Sequence, residues 1–90
     1  MILNFRCADT RALYEAGGSR RWKNIGSVAT RKLSMLQAAA ELRDLRSPPR
    51  NRLEVMHGRR AGQYSIRINH QSRICFEWTE AGPMNVEVID

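Results

Sequence analysis

The sequence predicts a small α+β fold, in which one strand and two helices precede a twisted antiparallel sheet that carries both helices on one face. Two observations support this prediction. Apolar residues recur with the helical period of about 3.6 in the first half of the chain and alternate with period two in the second half. A length of 90 residues suits a single domain, 1–90, with a modest core.

The chain is expected to open with a short strand over 2–6 and a short helix. Asp9 is a candidate N-cap for a helix over about 10–16, because its carboxylate can accept hydrogen bonds from the N–H groups of the first turn. The pair Gly17-Gly18 is expected to stop that helix. Trp22 follows in a basic turn, 19–23, and is expected to pack in the core rather than to stack on a base.

The longest helix is expected from a cap at Ser27 to about Leu42, because the apolar residues between them keep the helical period. Ile25 precedes this cap in the position of a hydrophobic staple. Pro48 and Pro49 then end helical structure, since proline removes a backbone donor and favours extended geometry in the residue before it. Three polar residues are assigned to the solvent side of the helix, namely Arg31, Lys32 and Gln37.

Alternation and turn residues predict four strands in the second half of the chain, over about 52–56, 63–69, 73–79 and 84–89. The segment 69–72 is expected to form a hairpin loop, and 81–83 the last turn. Successive side chains of a strand point to opposite faces of the sheet. Arg67 and Arg73 are therefore both predicted on the polar face, opposite the apolar one.

Positive charge is concentrated in the segment 43–73. This segment contains eight arginines and two acids, Asp44 and Glu54, and thus carries as much net charge as the whole protein, +6. A charge confined to one stretch indicates a polyanionic partner, most often nucleic acid. The alternative is a solvated charged surface with no specific partner.

Several classes of protein are excluded by composition. A hydrophobic content of 42% with 27% charged residues is typical of a folded globular chain rather than a disordered one. No apolar run reaches the roughly 18 residues of a membrane helix, and the N-terminal apolar run is too short for a signal peptide. We therefore expect a cytoplasmic protein without a membrane partner. Cys7 and Cys75 lack metal-ligand spacing, so two reduced thiols, no metal and no cofactor are expected.

A succession of motifs along most of the chain resembles the HigB toxins, also called plasmid maintenance system killer proteins, of the RelE/ParE superfamily. No single motif carries the resemblance. It rests on the order of Ala40-Glu41-Leu42-Arg43-Asp44-Leu45, the Pro-Pro loop, Asn51-Arg52-Leu53-Glu54, Gly58-Arg59-Arg60-Ala61-Gly62, Tyr64-Ser65-Ile66-Arg67-Ile68-Asn69 and Arg73-Ile74-Cys75-Phe76.

The resemblance implies a toxin of a type II toxin–antitoxin system. HigB toxins are ribosome-dependent mRNA endonucleases that cleave A-site codons without a metal, so the implied partners are the 70S ribosome and mRNA. The resemblance also implies a HigA-type antitoxin with a helix-turn-helix, through which alone the toxin is associated with operator DNA. ParE-type relatives share the fold but poison DNA gyrase, so a gyrase-binding toxin and a non-catalytic RNA-binding module are the alternative functions.

The resemblance also suggests site residues. Arg67 and Arg73 match basic strand residues of the toxin's active face, and guanidinium groups suit the stabilisation of charge on phosphate. His57, where relatives carry a basic residue, is the first candidate for proton transfer. Family members usually end in Asp-Tyr-His, and this sequence departs from that pattern by ending at Asp90, which is expected to orient a base or to act on the 2′-OH. RNA contacts are assigned to Arg50, Arg52, Arg59, Arg60 and His70, the last being also the second candidate for proton transfer.

A simpler role is open for Arg73. Its guanidinium can form a surface ion pair with Glu77 or Glu87 across the sheet. In that arrangement it would contribute about 0–1 kcal/mol to stability and no chemistry.

Overall fold

The computed structural model describes residues 1–17 and 21–90. Two helices precede a sheet of four strands, with the bounds α1 Ala8–Ala16, α2 Gly26–Ala38, β1 Glu54–Val55, β2 Tyr64–Arg67, β3 Arg73–Thr79 and β4 Gly82–Ile89. Three short 3₁₀ helices lie between them, at Leu42–Arg46, Pro49–Asn51 and Gly58–Arg60. The predicted α+β class is confirmed. Neither helix in the described part of the chain is long and apolar enough to cross a membrane.

The sheet is antiparallel, with its strands in the order β1-β2-β3-β4. β3 has the predicted bounds, whereas β1 is only two residues long. Arg52 explains this shortening, because its φ of 46° lies in the left-handed region and interrupts an extended strand. The last turn is also tighter than predicted: Gly82 and Pro83 belong to β4.

The predicted strand over 2–6 is wrong. The N-terminal segment forms an isolated parallel bridge between Phe5 and Val86, with backbone hydrogen bonds on either side of it. Asn85, whose φ of 53° is left-handed, distorts the edge of β4 there. Its N–H donates to the side chain of Asn4, not to a backbone carbonyl. A regular ladder therefore cannot propagate along this edge.

α1 confirms its predicted end but not its predicted start. Gly17 ends the helix with a φ of 76°, the left-handed conformation that favours glycine. The N-cap is Cys7, and Asp9 lies in the first turn, where its carboxylate pairs with Arg21 at 2.7 Å. Gly18 and residues 19–20 of the predicted basic turn lie outside the described residues. Trp22 is 3% exposed and belongs to the core, which confirms the packing role.

α2 starts and ends earlier than predicted. Ile25, not Ser27, is its N-cap, and Ala39 leaves the helix in an extended conformation. The predicted end at Leu42 is wrong because Asp44 begins a new turn there: its carboxylate accepts hydrogen bonds from the N–H groups of Ala40 and Glu41 at 3.0 and 2.9 Å. Local capping of this kind competes with continuation of the helix.

The core lies between the helices and one face of the sheet. Its fully buried members include Leu13, Leu33, Leu36, Ile66, Ile74 and Phe76. We name the other face of the sheet, which carries Arg67 and Arg73, the open face.

Two of the three residues assigned to the solvent side of α2 are covered. Arg31 is exposed as predicted, but Lys32 is only 4% exposed and Gln37 is half-buried. Gln37 accepts a hydrogen bond from the N–H of Ile2 at 2.9 Å, and Lys32 contacts Asn51. Segments distant in sequence therefore cover this side of the helix.

A glycine at the start of β4 provides a test of the N-terminal packing. Gly82 has a φ of 132°, and a Cβ at this position would lie 2.3 Å from the backbone oxygen of Met1. We expect Gly82→Ala to lower the free energy of unfolding by more than about 2 kcal/mol, from strain and collision together.

Gly17→Ala is the matched control, because Gly17 also has positive φ but open space around its would-be Cβ. It should cost about 1 kcal/mol, the strain alone. Urea unfolding measures both, and equal losses would contradict the close contact at Gly82.

Candidate nucleic-acid interface

Arg67 and Arg73 lie directly opposite each other on β2 and β3. Residues paired across an antiparallel ladder point to the same face of the sheet, so both arginine side chains project from the open face, as predicted. Both are half-buried. Like charges in this position destabilise a sheet. The pair therefore lowers stability, and a functional role would explain why it is present.

The Arg73 side chain runs back over β2 and β1. Its Nε donates to Ser65 Oγ at 2.8 Å, and one terminal nitrogen donates to the carbonyl of Arg52 and to the Glu54 carboxylate at 3.1 and 2.9 Å. The alternative role as a surface ion pair is thus found with Glu54, not with Glu77 or Glu87. Because the Glu54 side chain is 57% exposed, this pair is weak and open to exchange.

The Arg67 side chain turns the other way, into the hairpin loop 68–72. Its Nε donates to the carbonyl of Asn69 at 3.1 Å, and a terminal nitrogen contacts Nδ1 of His70 at 2.5 Å. Since a guanidinium only donates, Nδ1 is the acceptor in this contact. The Asn69 side chain orders the loop by accepting hydrogen bonds from the N–H groups of Gln71 and Ser72 at 2.8 and 2.7 Å.

Asp90 lies at the same end of the sheet. It follows Ile89, the β4 partner of Arg73, and one of its carboxylate oxygens accepts a hydrogen bond from Ser72 Oγ at 3.2 Å. A groove of about 680 Å³ runs beside it, between the hairpin loop and the segment 21–25. Arg67, Arg73, His70 and Asp90 are thus brought to one end of the sheet.

A second groove lies on the other side of the hairpin loop, and we name it the cationic groove. It encloses about 570 Å³ between α2, the turn 49–52 and the end of β2. Its lining contains no carboxylate among the described residues, and consists of Arg31, Lys32, Arg50, Arg52, Arg67, His70, Val28, Ile68 and Asn69.

Lys32 is the buried member of the cationic groove. Its ammonium donates a hydrogen bond to Oδ1 of Asn51. Burial lowers the pKa of Lys32, and the positive charge of Arg31 lowers it further. Asn51 is itself fully buried and is oriented by donating from Nδ2 to the carbonyls of Leu45 and Ser47 at 3.1 and 3.3 Å.

The turn that carries Asn51 also delivers two predicted RNA contacts. Arg50 and Arg52 are exposed at the rim of the cationic groove. The left-handed conformation of Arg52 aligns its carbonyl with the Arg73 guanidinium. A non-glycine residue in this conformation is strained, and strain of this kind is often found at functional sites.

His57, Arg59 and Arg60 are not part of this cluster. They follow β1 and lie beyond the opposite end of β2 from Arg67. His57 and Arg59 are exposed, whereas Arg60 pairs with Glu87 at 3.0 Å. The sequence interpretation grouped these residues with the arginines of the strands, because proximity in sequence does not show which end of a strand a loop adjoins.

The open face between the two ends is covered by ion pairs. Arg60 with Glu87 and Arg73 with Glu54 lie on the face that also carries Cys75, which is fully buried. Burial raises the pKa of the Cys75 thiol, and the nearby Arg60 acts against this rise. A thiol of this kind is poorly reactive. No cluster of three or more His, Cys, Asp or Glu side chains within 1–17 and 21–90 is arranged to hold a metal.

Sequence reasoning missed Arg31 and Lys32 as members of the basic surface. The charge count favoured 43–73, and both residues lie outside it. A signal for Lys32 was present: Val28, Lys32 and Leu36 are spaced by four, so they share one side of a helix, and Leu36 belongs to the apolar stripe.

The fold and this surface define a small α+β protein whose unpaired cations are chemically suited to phosphate groups. Comparison with known proteins specifies the class. Residues 4–90 match the family model described as the RelE-like toxin of the type II toxin–antitoxin system HigB.

Curated relatives agree with this match. The chain is 37% identical over 87 residues to Toxin HigB-1 of Vibrio cholerae serotype O1, an alignment that covers 94% of this chain and 92% of that protein. It is 42% identical over 55 residues to an uncharacterised protein of Haemophilus influenzae, covering 61% of this chain and 54% of that protein. The chain belongs to the HigB-like toxin family. It is a toxin of a type II toxin–antitoxin system, with an antitoxin as partner.

The lowered pKa of Lys32 has a consequence for stability. Between the folded and unfolded pKa values the unfolded chain binds more protons, so the free energy of unfolding rises with pH in that window. We expect the stability of the wild type relative to Lys32→Gln to increase as the pH approaches about 10.5 from below. Urea unfolding at several pH values measures this difference. A difference in unfolding free energy between the two proteins that stays constant with pH would show that burial does not lower the pKa of Lys32.

Proposed function

We propose that this toxin is a cytoplasmic, ribosome-dependent mRNA endonuclease that cuts A-site codons without a metal. The observation that carries the proposal is the opposition of Arg67 and Arg73 across β2 and β3, at the same end of the sheet as His70 and Asp90. Membership of the HigB-like toxin family supports the same activity.

Cleavage of RNA without a metal requires three kinds of group. A base assists the 2′-OH in its attack on the adjacent phosphorus, an acid protonates the departing 5′-oxygen, and cations stabilise the negative charge of the transition state. In our proposal Arg67 and Arg73 have the third role. A guanidinium cannot easily act as a base, but its planar fork matches two phosphate oxygens.

The contacts of Arg73 suit an exchange of ligands. Its guanidinium holds one carboxylate, that of Glu54, in an exposed ion pair. A phosphate oxygen carries the same charge and accepts the same hydrogen bonds, so it can replace Glu54. Ser65 and the carbonyl of Arg52 would keep the side chain oriented while the anion changes.

Proton transfer is assigned to an imidazole. His70 contacts Arg67 through Nδ1. Because both nitrogens of an imidazolium donate, His70 would release this contact on taking up a proton, and the imidazolium could then protonate the departing 5′-oxygen of a phosphate bound by Arg67. Asp90, on the other side of the hairpin loop, is the candidate for assisting the 2′-OH. His57 remains the alternative proton-transfer group. Because it lies beyond the opposite end of β2 from Arg67, it would contact RNA at some distance from Arg67.

The partners follow from this activity. The exposed arginines Arg50, Arg52 and Arg59 are proposed to contact the backbone of mRNA or of the 70S ribosome, and Arg60 to join them when its ion pair with Glu87 opens. The antitoxin is proposed to be of the HigA type, and its helix-turn-helix to supply the contact with operator DNA.

Primer extension on mRNA after induction of the toxin tests the proposed activity. We expect new 5′ ends at codon-spaced positions in translated messages, and none in the same RNA without ribosomes. Supercoiling defects with intact mRNA would instead indicate gyrase poisoning. Growth arrest with neither change would indicate a passive RNA-binding module.

Arg73→Ala tests the proposed role of the paired arginines. We expect cleavage on purified ribosomes to slow by about 10²–10³-fold, because one donor to the developing charge is lost. The free energy of unfolding should fall by about 1–2 kcal/mol, because the hydrogen bond to the buried Ser65 is lost with the ion pair while the repulsion from Arg67 is relieved.

Arg6→Ala is the matched control for this variant. Arg6 is exposed and lies beside β4, at the other edge of the sheet from β1. It should cleave and arrest growth like the wild type. Full toxicity of Arg73→Ala at equal expression would refute the assigned role.

A further inference from the structure

The cationic groove contains a buried charge for which the described residues provide no counter-ion. Lys32 is 4% exposed, and its ammonium has one hydrogen-bond acceptor among them, the neutral side chain of Asn51. A lysine ammonium has three donors. Burial of an ammonium is costly unless a carboxylate or another anion offsets its charge.

Some other cations of the described chain, unlike Lys32, have a carboxylate partner. Where ion pairs form in the described chain, they neutralise Arg21, Arg43, Arg60 and Arg73. None of these four pairs includes a cation of the cationic groove, which has five from three separate elements: Arg31, Lys32, Arg50, Arg52 and Arg67. Because no carboxylate among the described residues lines the groove, positive potential accumulates in one concave place.

The form of the groove suits a backbone phosphate. Guanidinium groups surround the rim, and a point charge, Lys32, lies beneath them. The two non-bridging oxygens of a phosphodiester can accept hydrogen bonds from these guanidinium groups and from the ammonium at the same time. The apolar residues Val28 and Ile68 also line the groove, and the ribose of a nucleotide can pack against them.

Arg67 connects this groove with the proposed cleavage site. It is the partner of Arg73 on the sheet and also lines the groove. A strand of RNA whose scissile phosphate contacts these arginines therefore passes the mouth of the groove with a neighbouring phosphate.

We propose that the cationic groove is a second phosphate-binding site, which holds a phosphodiester next to the one that is cleaved, with Lys32 as its buried ligand. Asn51 is the positioning residue that fixes the ammonium. The inference rests on the proposed function in taking RNA as the ligand. It adds a site that sets the register of the message against Arg67 and Arg73.

The test uses Lys32→Gln, which removes the charge and keeps a donor for Asn51. Its probe is a fluorescent single-stranded RNA with 2′-O-methyl groups, which binds but cannot be cut. Anisotropy titrations at several salt concentrations give both the affinity and its salt dependence. We expect affinity to fall about tenfold at low salt and the slope of log K against log salt to become shallower by about 0.7, the loss of one phosphate contact.

Two further variants make the result decisive. Arg31→Gln removes an exposed charge from the rim, so it should fold normally and also make the slope shallower by about 0.7. Arg6→Gln, outside the groove, should leave the slope unchanged. If Lys32→Gln does not fold, Arg31→Gln decides, and a wild-type slope for Arg31→Gln then overturns the proposal.

The outcomes separate this site from the proposed activity. Wild-type affinity and slope in folded Lys32→Gln would overturn the site, even if the wild type cuts messages on the ribosome. Loss of antitoxin affinity with unchanged RNA binding would also overturn it, since the groove would then hold a protein segment. Shallower slopes in a toxin that makes no codon-spaced cuts would uphold the phosphate site and refute the nuclease.

Discussion

The pairing of Arg67 with Arg73 across β2 and β3 is the constraint on which the functional surface depends. The register of the hairpin places two like charges side by side, and the two side chains extend in opposite directions, which separates the charges. Arg73 extends towards Glu54, and Arg67 towards His70. The loop and the strand that flank the pair are thereby organised by it. A bound phosphate would relieve the same repulsion, which links the cost in the free protein to the proposed function.

Acidic residues divide the basic surface into two parts. Glu87 holds Arg60 over the buried Cys75, so one part is a closed layer of ion pairs. The other part is the cationic groove, where Lys32 has a neutral partner. Net charge alone does not distinguish them, although they differ in what they can bind. Arg60, neutralised by Glu87, covers the sheet, whereas the cations that line the concave groove have no carboxylate partner among the described residues and are available to an anion.

Alternation within β2 and β3 was enough to predict that Arg67 and Arg73 share a face, because the strand period is a local property. The resemblance of the motifs identified the family, which the comparisons confirm. The burial of Lys32 was not predicted, since the turn that carries Asn51 is distant in sequence. The separation of His57 from Arg67 was missed because proximity in sequence does not show which end of a strand a loop adjoins. The end of α2 was predicted wrongly for a different reason: the apolar period continues, but the Asp44 side chain caps the next turn and ends the helix.

The proposed binding of the RNA backbone by the opposed guanidinium groups can be followed directly through the Nε–H signals of the arginines. In an NMR titration with non-cleavable RNA, we expect the signals of Arg67 and Arg73 to shift together with one dissociation constant. A Glu54→Gln variant should shift Arg73 before RNA is added, which assigns its signal. Signals of Arg67 and Arg73 that stay unchanged while RNA binds elsewhere on the protein would show that this pair does not bind the RNA backbone.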